Sequence, residues 1–119
     1  MKHWERRAIF TENAARLILW GEEQGYRLTM GEVYRTPEQA AIYAAKGIGI
    51  KDSLHSKGLA VDFNLFINGE YRKDSESHAR VGAAWEALHP ANRWGGRWGD
   101  GNHYEMREKE YKSEPIEIA

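Results

Sequence analysis

The chain has 119 residues, a formal net charge of -1 and no cysteine. That length suits one core rather than two, and near-neutral charge gives no footprint for nucleic acid or an anionic membrane. Without thiols, disulfides and thiolate metal ligands are excluded, so any metal must be held by His, Asp or Glu. The expectation is a single domain over residues 1–119, soluble and monomeric, with no membrane insertion. No apolar run approaches the about 20 residues of a membrane span, and Met1 to Arg7 leads into an amphipathic stretch rather than a secretory segment. A cytoplasmic protein is expected, unless something else releases it.

Thr11 can cap a first helix from about Glu12 to Gln24, with Ala14, Leu17, Ile18 and Gly21 on its inner face and Gly25 as its stop. Arg27 to Tyr34 reads as a strand carrying Leu28, Met30, Glu32 and Tyr34 on one side. Thr36-Pro37-Glu38-Gln39 is a capping box with proline at the first helical position, and the Ala-rich segment it opens runs to Lys46 and closes at Gly47. Residues 47–52 read as a loop. Leu59 to Phe66 alternates Leu59, Val61, Phe63 and Leu65 against Ala60, Asp62 and Asn64, a half-buried strand.

Asn68-Gly69 predicts a tight turn into Glu70-Tyr71-Arg72. Asp74 or Ser75 can cap a helix to about Leu88, packing through Ala79, Gly82, Ala83 and the run Trp85 to Leu88, with Pro90 preventing its continuation. Trp94 to Gly99 reads as a Gly-Trp loop, His103 to Arg107 as a last strand, and Lys112 to Ala119 as a surface tail. Helices and strands in this order, with no internal repeat, make an α+β fold: a small antiparallel sheet flanked by helices.

The chemistry concentrates in Ser53 to Asp62 and in Asp100 to His103. Two imidazoles, His55 and His103, with one carboxylate, Asp62, suit a borderline divalent ion such as zinc, and three protein ligands leave a position open for water. His55 and Asp62 are seven residues apart, which fully extended would span roughly 24 Å, so the chain must double back between them. Gly58 is free to take the positive φ such a reversal needs. Asp100, just ahead of His103, is placed to take a proton from a metal-activated water, and Arg35 to hydrogen-bond a carbonyl oxygen as it gains charge.

Plainer roles compete for each of these residues. His3, His78 and His89 read as surface or satisfied core histidines. Asp100 can be only a turn former ahead of Gly101, and Arg35 only a partner of Glu32 or Glu38. Trp94 and Trp98 read more readily as packing residues than as walls of a groove. Asp62 is the hardest to explain away, because a carboxylate in an apolar strand is costly without a partner or a metal.

The residues resemble the zinc D,D-peptidase superfamily of the VanX and VanY type, whose signature S-x-H-x-x-G-x-A-x-D is followed by a carboxylate three residues before a final His. Ser53, His55, Gly58, Ala60 and Asp62 match the first part, and Asp100-Gly101-Asn102-His103-Tyr104-Glu105 the second. Tyr34-Arg35-Thr36 with Gln39, and Trp94-Gly95-Gly96, are similar to further elements of the group, so the likeness spans roughly residues 10 to 107.

It implies a hedgehog-like fold, one zinc on His55, Asp62 and His103, Asp100 as base, and Arg35 at the substrate carbonyl. Substrate contacts are expected from Ser53, Gln39, Trp94 and Tyr104. The implied substrate is the stem peptide of peptidoglycan. Asp rather than Glu at position 100 resembles the phage L-alanyl-D-glutamate endolysins, which act on the wall after release from the host cytoplasm. A D-alanyl-D-alanine carboxypeptidase is the alternative, and a non-catalytic wall-binding module a further one. Arg97 and the short Trp98-Gly99 connection depart from many phage members.

Overall fold

A computed structural model describes residues 1–50, 53–109 and 116. Helix α1 covers His3–Glu23, followed by strand β1 (Tyr26–Met30) and helix α2 (Pro37–Ala45). A 3-10 turn over Leu54–Lys57 leads into β2 (Ala60–Ile67) and β3 (Glu70–Arg72). Helix α3 (Ser75–Leu88), β4 (Asn92–Trp94), a second 3-10 turn (Gly95–Trp98) and β5 (His103–Met106) complete the described elements. The expected α+β architecture is present.

The sheet is antiparallel, ordered β1-β2-β5-β4, with β3 also paired to β2. β2 organises it by serving different neighbours at its two ends. Its first residues pair with β5, Val61 opposite Tyr104, while its later ones pair with β1, Leu65 opposite Leu28. Alternation along β2 sends Leu59, Val61, Phe63 and Leu65 into the core, where they meet Phe10 and Leu17 of α1, Val81 and Trp85 of α3, and Tyr104 and Met106 of β5. Aromatic edges lock this interior: Phe10 and Tyr104 each stand edge-on to Trp85, with centroids at 5.6 and 6.2 Å.

Thr36 caps α2 as the capping box requires, its Oγ1 accepting from the Gln39 amide at 3.1 Å, and Asp74 caps α3 through the Ser77 amide at 2.8 Å. The Asn68-Gly69 turn has both residues at positive φ, 52° and 78°, which suits a two-residue hairpin between β2 and β3.

Three expectations need correction. α1 begins at His3, not after Thr11; the Glu5 carboxylate accepts from the Lys2 amide, and the Thr11 hydroxyl donates back to the Arg7 carbonyl from inside the helix. β1 stops at Met30, because the Asp62 backbone is then shared by two successive residues: Gly31 donates to its carbonyl and Glu32 accepts from its amide. That two-against-one pairing, as at a β-bulge, breaks the ladder and leaves Tyr34 exposed. Trp94, expected to open a loop, instead ends a strand, β4 (Asn92–Trp94). All its residues are buried, so no alternation marks it; the Asn92 amide group donates to the Trp85 carbonyl and the Trp94 amide to Glu86. The expected tail over 112–119 lies outside the described residues except for Ile116, which packs against the core.

Candidate metal centre

Ser53 opens the 3-10 turn, its Oγ accepting from the His55 amide at 3.2 Å. His55 follows inside the turn, and Gly58 ends it at φ 71°, after which the Leu59 amide returns to the Leu54 carbonyl and β2 begins. The glycine is required here, since a side chain at that φ is strained. The reversal lays Asp62 back against the His55 ring. On β5, His103 stands directly opposite Asp62 in the ladder.

His55 Nε2 is 3.2 Å and His103 Nδ1 3.4 Å from the same oxygen, Asp62 Oδ1. One ligand atom from each of the three residues lies within 4.8 Å of the others. Donors about 2.0–2.2 Å from a tetrahedral zinc are about 3.3 Å apart, so the two separations from Asp62 fit such an ion. The outward nitrogens are engaged as well: His55 Nδ1 faces the Val33 carbonyl at 3.2 Å and His103 Nε2 faces Glu105 Oε1 at 2.8 Å. Each ring is thus held with its other nitrogen turned inward, the support that ligating histidines need.

Without metal, Asp62 and His103 shift one another's protonation. Burial works against the Asp62 carboxylate, yet hydrogen bonds from His103 and His55 prevail and hold it down at about 2. Burial likewise opposes a charge on His103, but its bonds to Asp62 and Glu105 push it up to about 9.

The triad floors a cleft of about 530 Å³ whose walls include Arg35, Ser53, Trp98, Asp100 and Arg107. Asp100 is exposed on one wall; its carbonyl accepts from the His103 amide at 3.1 Å, so the turn that points its side chain into the cleft also starts β5. Arg35 lines the cleft, pairs with Glu32 and lies 5.2 Å over the Tyr43 ring. The pairing with Glu32 is therefore real and coexists with the place at the cleft. Ser53 reaches the wall with its hydroxyl already engaged by His55.

Two expected substrate contacts are corrected. Tyr104 is fully buried, with its hydroxyl 2.7 Å from His78 Nδ1. Trp94 is 5% exposed and donates through Nε1 to the Gly101 carbonyl. Its ring sits between Gly82 and Gly96, where an added Cβ would come within 2.2 and 2.0 Å of it. Neither side chain can meet a peptide. Gln39 is not among the residues lining the cleft, and its amide serves the helix cap.

Trp98 takes the place expected of Trp94: it is 47% exposed, with its ring centroid 5.9 Å from that of His103. Glu105, Arg107 and Ile48 to Ile50 also line the cleft and were not anticipated. A signal for two of them existed, because strand alternation places Glu105 on the same side of β5 as His103 and points on toward Arg107.

The remaining histidines have ordinary roles. His78 is buried, donating through Nε2 to the Arg72 carbonyl and accepting at Nδ1 from Tyr104; burial lowers its pKa. His3 bonds the Lys57 carbonyl, and His89 accepts from the Ala91 amide. No helix among the described residues is long and apolar enough to cross a membrane.

An antiparallel α+β fold with a two-histidine, one-carboxylate site open to a cleft defines a metallopeptidase. Residues 46–106 match the family model described as D-alanyl-D-alanine carboxypeptidase, and the chain belongs to that family. Among solved structures it is similar to the L-Ala D-Glu endopeptidase ChiX of Serratia marcescens, at 21% identity and a TM-score of 0.60, over 68% of this chain and 67% of that one. It is also similar to the vancomycin resistance D,D-pentapeptidase VanY from a VanB-type cassette, solved with Zn(II), at 18% identity and a TM-score of 0.58, over 82% of this chain and 70% of that one. These likenesses concern the fold. No curated protein matches the chain.

Proposed function

We propose that the chain is a zinc-dependent peptidase of peptidoglycan stem peptides, cutting between L-Ala and D-Glu. The observation that carries this reading is the convergence of His55, Asp62 and His103 on one point in the floor of a cleft that also holds Asp100. Three ligands among the described residues leave room for a reactant, as in catalytic rather than structural sites. When bound there, zinc supplies Lewis acidity that polarises a carbonyl and makes water a better nucleophile near neutral pH.

The protein's own groups carry the rest. Asp100, exposed on the cleft wall, takes a proton from the attacking water and returns it to the leaving amine nitrogen as the amide C–N bond breaks. The hydroxyl stays on the carbonyl carbon, so the products are a carboxylic acid and an amine. Arg35 donates to the carbonyl oxygen as that oxygen becomes negative, with its guanidinium steadied by Glu32 and the Tyr43 face. Ser53 holds the first turn rather than the substrate, and Trp98 offers the flat apolar wall against which a peptide can lie.

The endopeptidase reading is supported by Asp at position 100, as in the phage enzymes the sequence resembles, and by the likeness in fold to ChiX, an L-Ala D-Glu endopeptidase. The description of the matched family supports a D-alanyl-D-alanine carboxypeptidase as the second reading. Mass analysis of purified muropeptides after digestion decides between them. Release of L-alanine-terminated fragments is expected, and release of single D-alanine residues alone would replace the first reading with the second.

A further inference from the structure

Behind His103 lies a closed ring of side chains. Glu105 is buried, its side chain 8% exposed, and a carboxylate so placed needs partners. Its Oε1 meets His103 Nε2 at 2.8 Å, and its Oε2 accepts from Arg107 Nε at 2.6 Å. The Arg107 guanidinium in turn lies 5.5 Å over the Trp98 ring, and Trp98 returns to His103. In the ladder Ala60 and Arg93 stand opposite Glu105, and the small methyl of Ala60 leaves space beside it.

We propose that Glu105 is a positioning residue for His103, held in place by Arg107. The inference rests on the metallopeptidase reading above. An imidazole carries one proton when neutral, and an anionic acceptor at Nε2 holds that proton there and leaves the Nδ1 lone pair facing Asp62. It also fixes the ring plane and makes Nδ1 a stronger donor. His55 is served differently: its Nδ1 bonds the neutral Val33 carbonyl at 3.2 Å, and the nearby Glu32 carboxylate, 3.7 Å away, is paired with Arg35. The two histidines are thus unequal ligands, since only His103 has a carboxylate at hydrogen-bond distance behind it, and removing that carboxylate weakens the site from the β5 side. Arg107 acts one step further out: it fixes the Glu105 carboxylate and joins it to the Trp98 wall of the cleft.

The test is zinc affinity of the full chain, by competition with a chromophoric chelator, for wild type, Glu105→Gln, Glu105→Ala and Arg107→Met. Loss of a ligand's outer partner weakens metal binding roughly ten- to a hundredfold. The Ala variant is expected at the upper end, with Gln, nearly isosteric and neutral, and Met at the lower end. Proton NMR of the Co(II)-loaded chain supplies a second readout. Wild type should show two shifted, slowly exchanging imidazole N–H signals; Glu105→Ala should lose one to solvent exchange and keep the other. Wild-type affinity and both signals in the two Glu105 variants would overturn the inference, as would reduced thermal stability with unchanged affinity, which marks a purely structural role. A wild-type chain that takes up no zinc would remove the metallopeptidase reading and this inference together.

Discussion

Asp62 and His103 face one another across the β2–β5 ladder with Oδ1 and Nδ1 3.4 Å apart, so a single hydrogen-bond register sets two of the three candidate ligands. A slip of one residue would turn His103 to the opposite face of the sheet. The third ligand depends on a different device, the reversal at Gly58.

Gly58→Ala should therefore damage the site without touching a ligand. Its φ of 71° is unfavourable for an L side chain, and the new Cβ would meet Arg7 Nε at 2.4 Å. The backbone cost is about 1–2 kcal/mol. A lower melting temperature and reduced zinc occupancy should appear together, by calorimetry and elemental analysis. Occupancy equal to wild type would mean that the turn does not set His55.

Asp100→Asn should separate binding from chemistry. Asp100 lines the cleft outside the His55, Asp62 and His103 triad, so zinc stoichiometry should stay at the wild-type value. Loss of a general base costs typically 10²–10⁴-fold in rate. Full hydrolysis by the variant would remove Asp100 from the base role.

pH dependence of the metal-free chain follows from the shifted Asp62 and His103 groups. Asp62 has its folded pKa depressed from 3.8 to about 2, so its contribution is present above pH 3.8 and is lost as pH falls through 2. His103 is raised from 6.5 to about 9, so its contribution is fully present below pH 6.5 and is lost as pH rises through 9. Urea midpoints of chelator-treated protein should therefore be highest between these limits. Zinc needs the deprotonated histidine, so its addition should abolish the alkaline loss. A flat alkaline limb in the metal-free protein would contradict the His103 environment.

The two tryptophans of the 94–98 segment should behave oppositely. Gly82→Ala pushes a methyl into the Trp94 ring, and overpacking of this kind costs about 1–3 kcal/mol. Trp98→Ala removes a half-exposed ring, with an expected stability change within about 0.5 kcal/mol, but it should raise KM for peptide cleavage. Denaturation curves and steady-state kinetics on both variants check the pair; an unstable Trp98→Ala with normal KM would reverse the assignment.

Chemistry was easier to read in this chain than surface. His55, Gly58, Asp62 and His103 could be placed from residue type and spacing, because a metal demands donors at fixed distance and a reversal demands a residue tolerant of positive φ. The Leu59 to Leu65 alternation and the Thr36 and Asp74 caps were legible for equally local reasons. Burial at Trp94 and Tyr104 was not. Both depend on what packs from far along the chain, Gly82 in one case and His78 in the other. β4 escaped notice because a strand buried on both sides has no period, and α1 was cut short because Thr11, a good cap by type, bonds within the helix instead. Glu105 shows the reverse: its position was predictable from the strand period, while its bond to His103 required the register.

The cleft has two kinds of wall. Its floor is ladder at Asp62 and His103 and a tight turn at His55, while its rims are the connections at 48–50 and 95–100, which contribute Ile48, Ile50, Trp98 and Asp100. Grafting different rims onto the same floor is a route to new peptide preferences, provided the carboxylate at 100 is kept. For this molecule, reaction and selectivity are separable engineering problems.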